Sequence, residues 1–150
     1  MANSIKSLKP RKNSHYEQGS IDPKSCHKYF ESAKDEPIIY RSGLELQFIR
    51  YCETSPGISK WASEPLSINY MSRLDKNVHQ YFPDFLIEDT KGHRTIVEIK
   101  PYGQTVKPKP TDSLWLKKAW VKNVDKWMAA KEWAKAKGMS FMIVTERFFG

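Results

Sequence analysis

The sequence predicts an α/β domain with helices covering both faces of a small mixed sheet. Three observations carry that reading. A capped apolar helical repeat occupies residues 42–54, and a group of short strand-like runs follows between 58 and 100. A long amphipathic stretch over 112–137 then leads into one last apolar run, Phe141-Met142-Ile143-Val144. The order is helix, three strands, helix, strand.

Each element has a local cause. The first two dozen residues are polar, broken by Pro10, Gly19 and Pro23, and carry Lys6, Lys9, Arg11 and Lys12. They read as a basic arm over 1–25, either laid along a phosphate backbone or simply solvated, ahead of one folded domain over 26–150. Residues 26–33 suit a short helix. Ser42 followed three residues later by Glu45 is the capping-box pattern, and Leu44, Phe48, Ile49 and Cys52 give the helix it opens an apolar face. Thr54-Ser55-Pro56-Gly57 ends it.

The first strand candidate is a bent segment, 58–61 with 65–71, interrupted at Ser63-Glu64, and 72–80 reads as a loop. Residues 81–88 and 93–100 are the second and third strands, joined by a tight turn at Asp89-Thr90-Lys91-Gly92. A three-residue connection with Gly92 in the left-handed position pairs Asp89 with His93. Lys107-Pro108-Lys109-Pro110 breaks the chain before the long helix. Leu116, Trp120, Val124, Trp127 and Met128 form its expected core stripe, and Gly138 stops it. The closing apolar run suits a buried strand.

Composition narrows the function. A chain of 150 residues and 17.5 kDa suits one core. Lys and Arg number 25 against 17 acidic residues, for a net charge of +8 and a pI near 9.4. That balance favours a polyanion, with nucleic acid ahead of a membrane surface. No apolar run approaches the roughly 20 residues of a membrane helix. The start lacks the apolar segment of a signal peptide, so a cytoplasmic location is expected. Cys26 and Cys52 make no metal spacing with each other or with the four histidines, and both are expected as free thiols.

The chemistry concentrates in Pro83-Asp84 and Glu98-Ile99-Lys100. Glu98 and Lys100 share one strand face at roughly 6.7 Å spacing, with Val97 and Ile99 on the other. Counting back from the turn puts Asp84 opposite Glu98, and a slip of one residue would turn Asp84 away. Two carboxylates and a lysine at one sheet end could hold a hard divalent cation beside a water and a phosphate. Pro83 cannot donate a ladder hydrogen bond and so leaves that end open, though a proline and a charge also protect ordinary edge strands. Glu45 is a possible third acid, with a complete structural role as the end of the capping box.

Seven lysines stud the long helix: Lys117, Lys118, Lys122, Lys126, Lys131, Lys135 and Lys137. They read as a solvated face or as a phosphate-tracking surface. Trp115, Trp120, Trp127 and Trp133 are expected in the core. Lys107 and Lys109, on a proline-stiffened loop, are the better-placed DNA contacts.

Taken together, the Arg41-Ser42-x-x-Glu45 helix, Tyr81-x-Pro83-Asp84-Phe85, Val97-Glu98-Ile99-Lys100 and the closing helix and strand resemble the PD-(D/E)xK nucleases of restriction-endonuclease-like fold. Within that group, length, basic arm and motif wording most resemble the head completion nucleases of tailed bacteriophages. Glu64-Pro65-Leu66 is similar to the corresponding stretch of transposon-end and junction-resolving members. The resemblance implies an αβββαβ core and a Mg²⁺-dependent DNA endonuclease or exonuclease with little sequence preference, with Mn²⁺ able to substitute. It implies metal ligation by Asp84, Glu98 and the Ile99 carbonyl, with Glu45 binding through water or completing a second site. Lys100 would orient the attacking water and balance charge near the scissile phosphate. Glu64 is a secondary candidate for the metal shell, and Arg41, Lys107, Lys109, Lys117 and Lys118 are candidate DNA contacts. DNA and phage head or portal proteins are the implied partners, in the host cytoplasm during assembly or on the virion. A homodimer is compatible but not required. Two rivals remain: a junction-resolving or transposon-end endonuclease of the same fold, and a non-catalytic basic DNA-binding head-tail connector protein.

Overall fold

The computed structural model describes residues 18–150. In chain order they form β1 (Gly19–Ile21), β2 (Ile38–Tyr40), α1 (Gly43–Thr54), β3 (Ile58–Ser63), β4 (Ile68–Met71), β5 (Val78–Tyr81), β6 (Phe85–Asp89), β7 (Arg94–Ile99), α2 (Leu114–Ala136) and β8 (Ser140–Val144). The central sheet has the order β3-β6-β7-β8. Its first three strands are antiparallel and β8 runs parallel to β7. Small two-stranded sheets, β1-β2 and β4-β5, flank it.

Helices cover both faces, as expected. Phe48, Ile49 and Cys52 of α1 pack with Trp61, Phe85, Val97 and Val144 on one side. On the other, Ala134 of α2 meets Leu86 and Ile96, while Ala130 meets Ile68, Tyr70 and Tyr81. The alternation along β7 follows the strand period: Ile96 faces α2, while Val97 and Ile99 face α1. This is the restriction-endonuclease-like αβββαβ core, with the β4-β5 hairpin inserted between its first two strands.

The turn that sets the register forms as its residues dictate. Gly92 takes φ of +86°, and Asp89 donates its N–H to the His93 carbonyl at 2.9 Å. The Asp89 carboxylate accepts from the N–H groups of Lys91 and His93 at 2.8 and 2.9 Å, fixing the loop. Phe85 then pairs with Val97 and Glu88 with Arg94, which is the expected register.

Elsewhere the structure departs from expectation. The stretch 81–88 is not one strand. Tyr81 ends β5, and Phe85 begins β6 after a break at Pro83, which has no N–H for a ladder. Likewise 58–71 is not one bent strand. Glu64 turns the chain with φ of +45° ahead of Pro65, and β4 leaves to pair with β5 in the register Ile68↔Tyr81 to Met71↔Val78. Hence the expected loop 72–80 contains a strand.

Residues 26–33 hold only a 3-10 turn at Glu31–Ala33. The chain before it is extended, because Trp61 donates to the Lys28 carbonyl at 3.1 Å and Phe30 to the Trp61 carbonyl at 3.0 Å. Backbone pairing has overridden helix propensity there. The tail of the expected arm is ordered as well, since Gly19–Ile21 pairs with β2. A Cβ at Gly19 would sit 2.6 Å from the Tyr40 hydroxyl, so glycine permits that close pairing. The arm residues 1–17 lie outside the described residues.

The expected core stripe of α2 is also displaced. Leu116 and Met128 are exposed, and the fully buried positions are Ala130 and Ala134. Small side chains let the C-terminal half of the helix approach the sheet closely, while Leu114, Trp115 and Leu116 of its first turn are exposed.

Candidate active site

Asp84 and Glu98 meet at one end of the sheet, just past the last β6-β7 pair. Asp84 Oδ2 accepts the Ile99 N–H at 2.7 Å, which holds its carboxylate beside the end of β7. Glu98 is only 5% exposed, and its Oε1 accepts the Tyr81 hydroxyl at 2.7 Å. Its other oxygen, Oε2, lies 3.9 Å from Lys100 Nζ, an ion pair too long for a hydrogen bond. The Lys100 ammonium therefore stays free to engage another group.

The electrostatics follow from that packing. Burial first, and then the Glu98 charge, hold the Asp84 carboxyl well above its usual range; the Glu45 charge adds to this, and the Ile99 N–H opposes it. Two ionised carboxylates in one partly dry site repel each other, and a divalent cation is the direct remedy. Among the described residues no group of three or more His, Cys, Asp or Glu side chains gathers as a complete ligand set. The acid pair is still sufficient for Mg²⁺, which commonly binds through one or two carboxylates and keeps several waters. Burial and the Glu98 carboxylate push the Tyr81 phenol far above its usual range, so it remains a donor to Glu98.

Glu45 approaches from α1. Ser42 Oγ accepts the Glu45 N–H at 3.1 Å as the cap, and the Glu45 carboxylate reaches back to the Ser42 hydroxyl and the Arg41 N–H, both at 3.3 Å. The return bond thus goes to the residue before the cap. Burial raises the Glu45 pKa, with the Arg41 and Ser42 hydrogen bonds opposing. Glu45 and Lys100 line a cleft of about 400 Å³ together with Arg41, Ile99 and Gln104. At its rim Arg41 pairs with Glu64 at 2.6 Å, and the Glu64 N–H donates to the Asp84 carbonyl at 2.9 Å. Glu64 is therefore tied to the site through its backbone and to Arg41 through its side chain.

The other candidates divide. Lys107, Lys109 and Lys118 are exposed beside the cleft loop and on α2. Lys117 donates to the Pro110 carbonyl at 2.6 Å and so fastens the loop before α2. Two residues to which the sequence assigns no role in the site also stand beside the acid pair. Tyr81 comes from the hairpin strand β5, and Lys126 of α2 lies with its Nζ 5.5 Å from the Tyr81 ring centroid. Burial and the Lys122 charge lower the Lys126 pKa, while Glu98 and Asp84 favour its charged form. An apolar-then-acidic contact pattern at Tyr81 appears only once the hairpin is folded over the sheet. Lys126 follows Lys122 by one helical turn, and that phase is the signal in the sequence that ties it to the lysine face of α2.

A family model described as the TnsA-like endonuclease N-terminal domain matches residues 55–146, more than half of the sequence. The chain belongs to that family of endonuclease domains. The match contains Asp84, Glu98 and Lys100 and begins after α1, so Glu45 lies outside it. At the level of a whole protein, the chain is 34% identical over 137 residues to the head completion nuclease of Enterobacteria phage T4. That similarity covers 85% of this chain and 90% of its relative.

Proposed function

We propose that the chain is a divalent-metal-dependent DNA nuclease that acts on packaged phage DNA in head completion, before head and tail join. The observation that carries the chemistry is the pair of partly buried Asp84 and buried Glu98, with the Lys100 ammonium 3.9 Å from Glu98 Oε2. In this reading Asp84, Glu98 and the Ile99 carbonyl hold Mg²⁺, or Mn²⁺ in its place. The bound cation supplies Lewis-acid stabilisation of the phosphoryl oxygens and a water of lowered pKa. Lys100 orients that water and balances charge on the scissile phosphate. Glu45, across the cleft, binds through water. The net charge of +8 draws the DNA in without reading its bases, and Arg41, Lys107, Lys109 and Lys118 contact its backbone. Head completion places the protein in the host cytoplasm during assembly, with head or portal proteins as neighbours.

The test is digestion of plasmid and linear DNA with Mg²⁺ and with a chelator in its place. Cutting that needs the cation supports the reading; equal cutting with chelator, or none in either, sinks it. The TnsA-like family match favours one second reading, a transposon-end or junction-resolving enzyme. A strong preference for four-way junctions over linear duplex would select that rival.

Tyr81 gives a sharper check on the metal site. Tyr81→Phe keeps the ring in its pocket and removes only the hydroxyl that fixes Glu98 Oε1. Loss of such an outer partner typically costs about 10–100-fold in metal affinity. Calorimetric titration with Mn²⁺ should therefore show weaker binding, with the fold retained by circular dichroism. Unchanged affinity would remove Tyr81 from the site.

A further inference from the structure

The four tryptophans of α2 do not all enter the core: Trp115 is 74% exposed. It lines a cavity of about 160 Å³ between the first turns of α2 and the preceding loop, with Val106, Pro108, Leu116, Ala119 and Trp120. Gln104 lines this cavity and also the cleft that holds Lys100 and Glu45, so the two hollows share a wall residue. Leu114 and Val106, also exposed, extend the apolar rim.

Helical spacing joins this aromatic corner to the acid pair. Trp115, Lys118, Lys122 and Lys126 follow one another at three- and four-residue steps, which places them along one face. The far end is anchored at the site, because Lys126 lies over the Tyr81 ring that bonds Glu98. Lys122 is close enough for its charge to act on Lys126. From Trp115 to Lys126 the axial rise is roughly 16 Å.

A row of cations ending in an exposed indole is the pairing that single-stranded nucleic acid binds, with phosphates on the cations and a base on the ring. A closed duplex offers phosphates but no free base face. Resting on the nuclease reading above, we propose that this face of α2 is a track for single-stranded DNA leading from the acid pair, and that Trp115 stacks on an unpaired base at its end. The substrate class follows: DNA with a single-stranded segment or frayed end beside the cut.

Binding of labelled oligothymidylate and of a blunt duplex of equal length, measured by anisotropy in chelator, tests this without any cleavage. Trp115→Ala should weaken single-strand binding about tenfold, the scale of one lost stacked base, and duplex binding by under about twofold. Lys122→Ala should weaken single-strand binding and lower the salt slope by about 0.7. Equal losses on both DNAs for Trp115→Ala, or no loss on either, would overturn the track. The arms separate the two ideas. Wild-type protein that cuts in Mg²⁺ while Trp115→Ala binds normally removes the track alone. Wild-type protein that never cuts removes the nuclease reading, and with it the substrate assignment, whatever the binding shows.

Discussion

Asp84→Asn is expected to abolish cleavage and, in the same protein, to raise the melting temperature measured without metal. The amide can still accept the Ile99 N–H that fixes this side chain at 2.7 Å, so the local fold persists. What disappears is a charge held beside Glu98 in a buried setting. Cleavage should fall by about a thousandfold or more, because the cation loses a ligand where transition-state charge is stabilised. Stability should rise, by roughly 2–4 °C for each kcal/mol of repulsion removed.

The sign with pH follows from the direction of the Asp84 shift. A carboxyl whose folded pKa is raised stabilises the fold while protonated, and that stability is lost as pH rises through the folded pKa. Metal-free wild-type protein should therefore melt lower as pH climbs through that window, above the ordinary carboxylate range, and Asp84→Asn should show a smaller decline. Cleavage runs the other way and rises with pH across the same window, since proton and cation compete for the acid pair. A variant that melts lower than wild type in chelator would show that Asp84 is not under charge strain.

Lys100→Met makes the complementary case. The lysine side chain is 25% exposed and its 3.9 Å contact with Glu98 is too long for a hydrogen bond, while methionine keeps most of the unbranched stem, so the substitution removes the charge with little change in packing. Loss of a group that positions water and stabilises developing charge costs about 10²–10⁴-fold in rate. Metal-free stability should fall slightly, because the acid pair loses its partial counter-charge. Two variants of one site thus lose cutting together and move stability in opposite directions. Digestion of linear DNA beside thermal melts in chelator reads both. Full activity in either variant would remove that residue from the chemistry.

The parts of the site legible in the sequence are those set by local rules. Ser42 and Glu45 cap α1 because a side-chain oxygen three residues before a backbone N–H is within reach by helix geometry alone. Gly92 closes the β6-β7 turn because only that position needs a left-handed backbone. From the turn, strand pairing carries Asp84 to Glu98 without any knowledge of the rest of the molecule. The element order of the core was readable for the same reason, since each period of apolar residues belongs to one segment.

What failed depended on partners distant in sequence. Residues 26–30 looked helical until Trp61 supplied a backbone to pair with. The strand expected over 81–88 was two, because β5 found β4 and Pro83 could join neither ladder. The buried face of α2 was set by Ala130 and Ala134, whose small size allows close approach to the sheet; large apolar residues marked a face that is only partly covered. Trp115 was expected inside and lies outside for that reason.

The sequence by itself determined the basic charge, the order of the core elements, the turn register and so the meeting of Asp84 with Glu98 and Lys100. Each is fixed by neighbours within a few residues or by a count along a paired strand. Only the tertiary structure decided that Tyr81 clamps Glu98, that Lys126 overlooks the same pair, and that α2 turns Trp115 to solvent. Those contacts join residues from elements that share no local signal, and burial of one helix face against a sheet has no sequence period that names its partner.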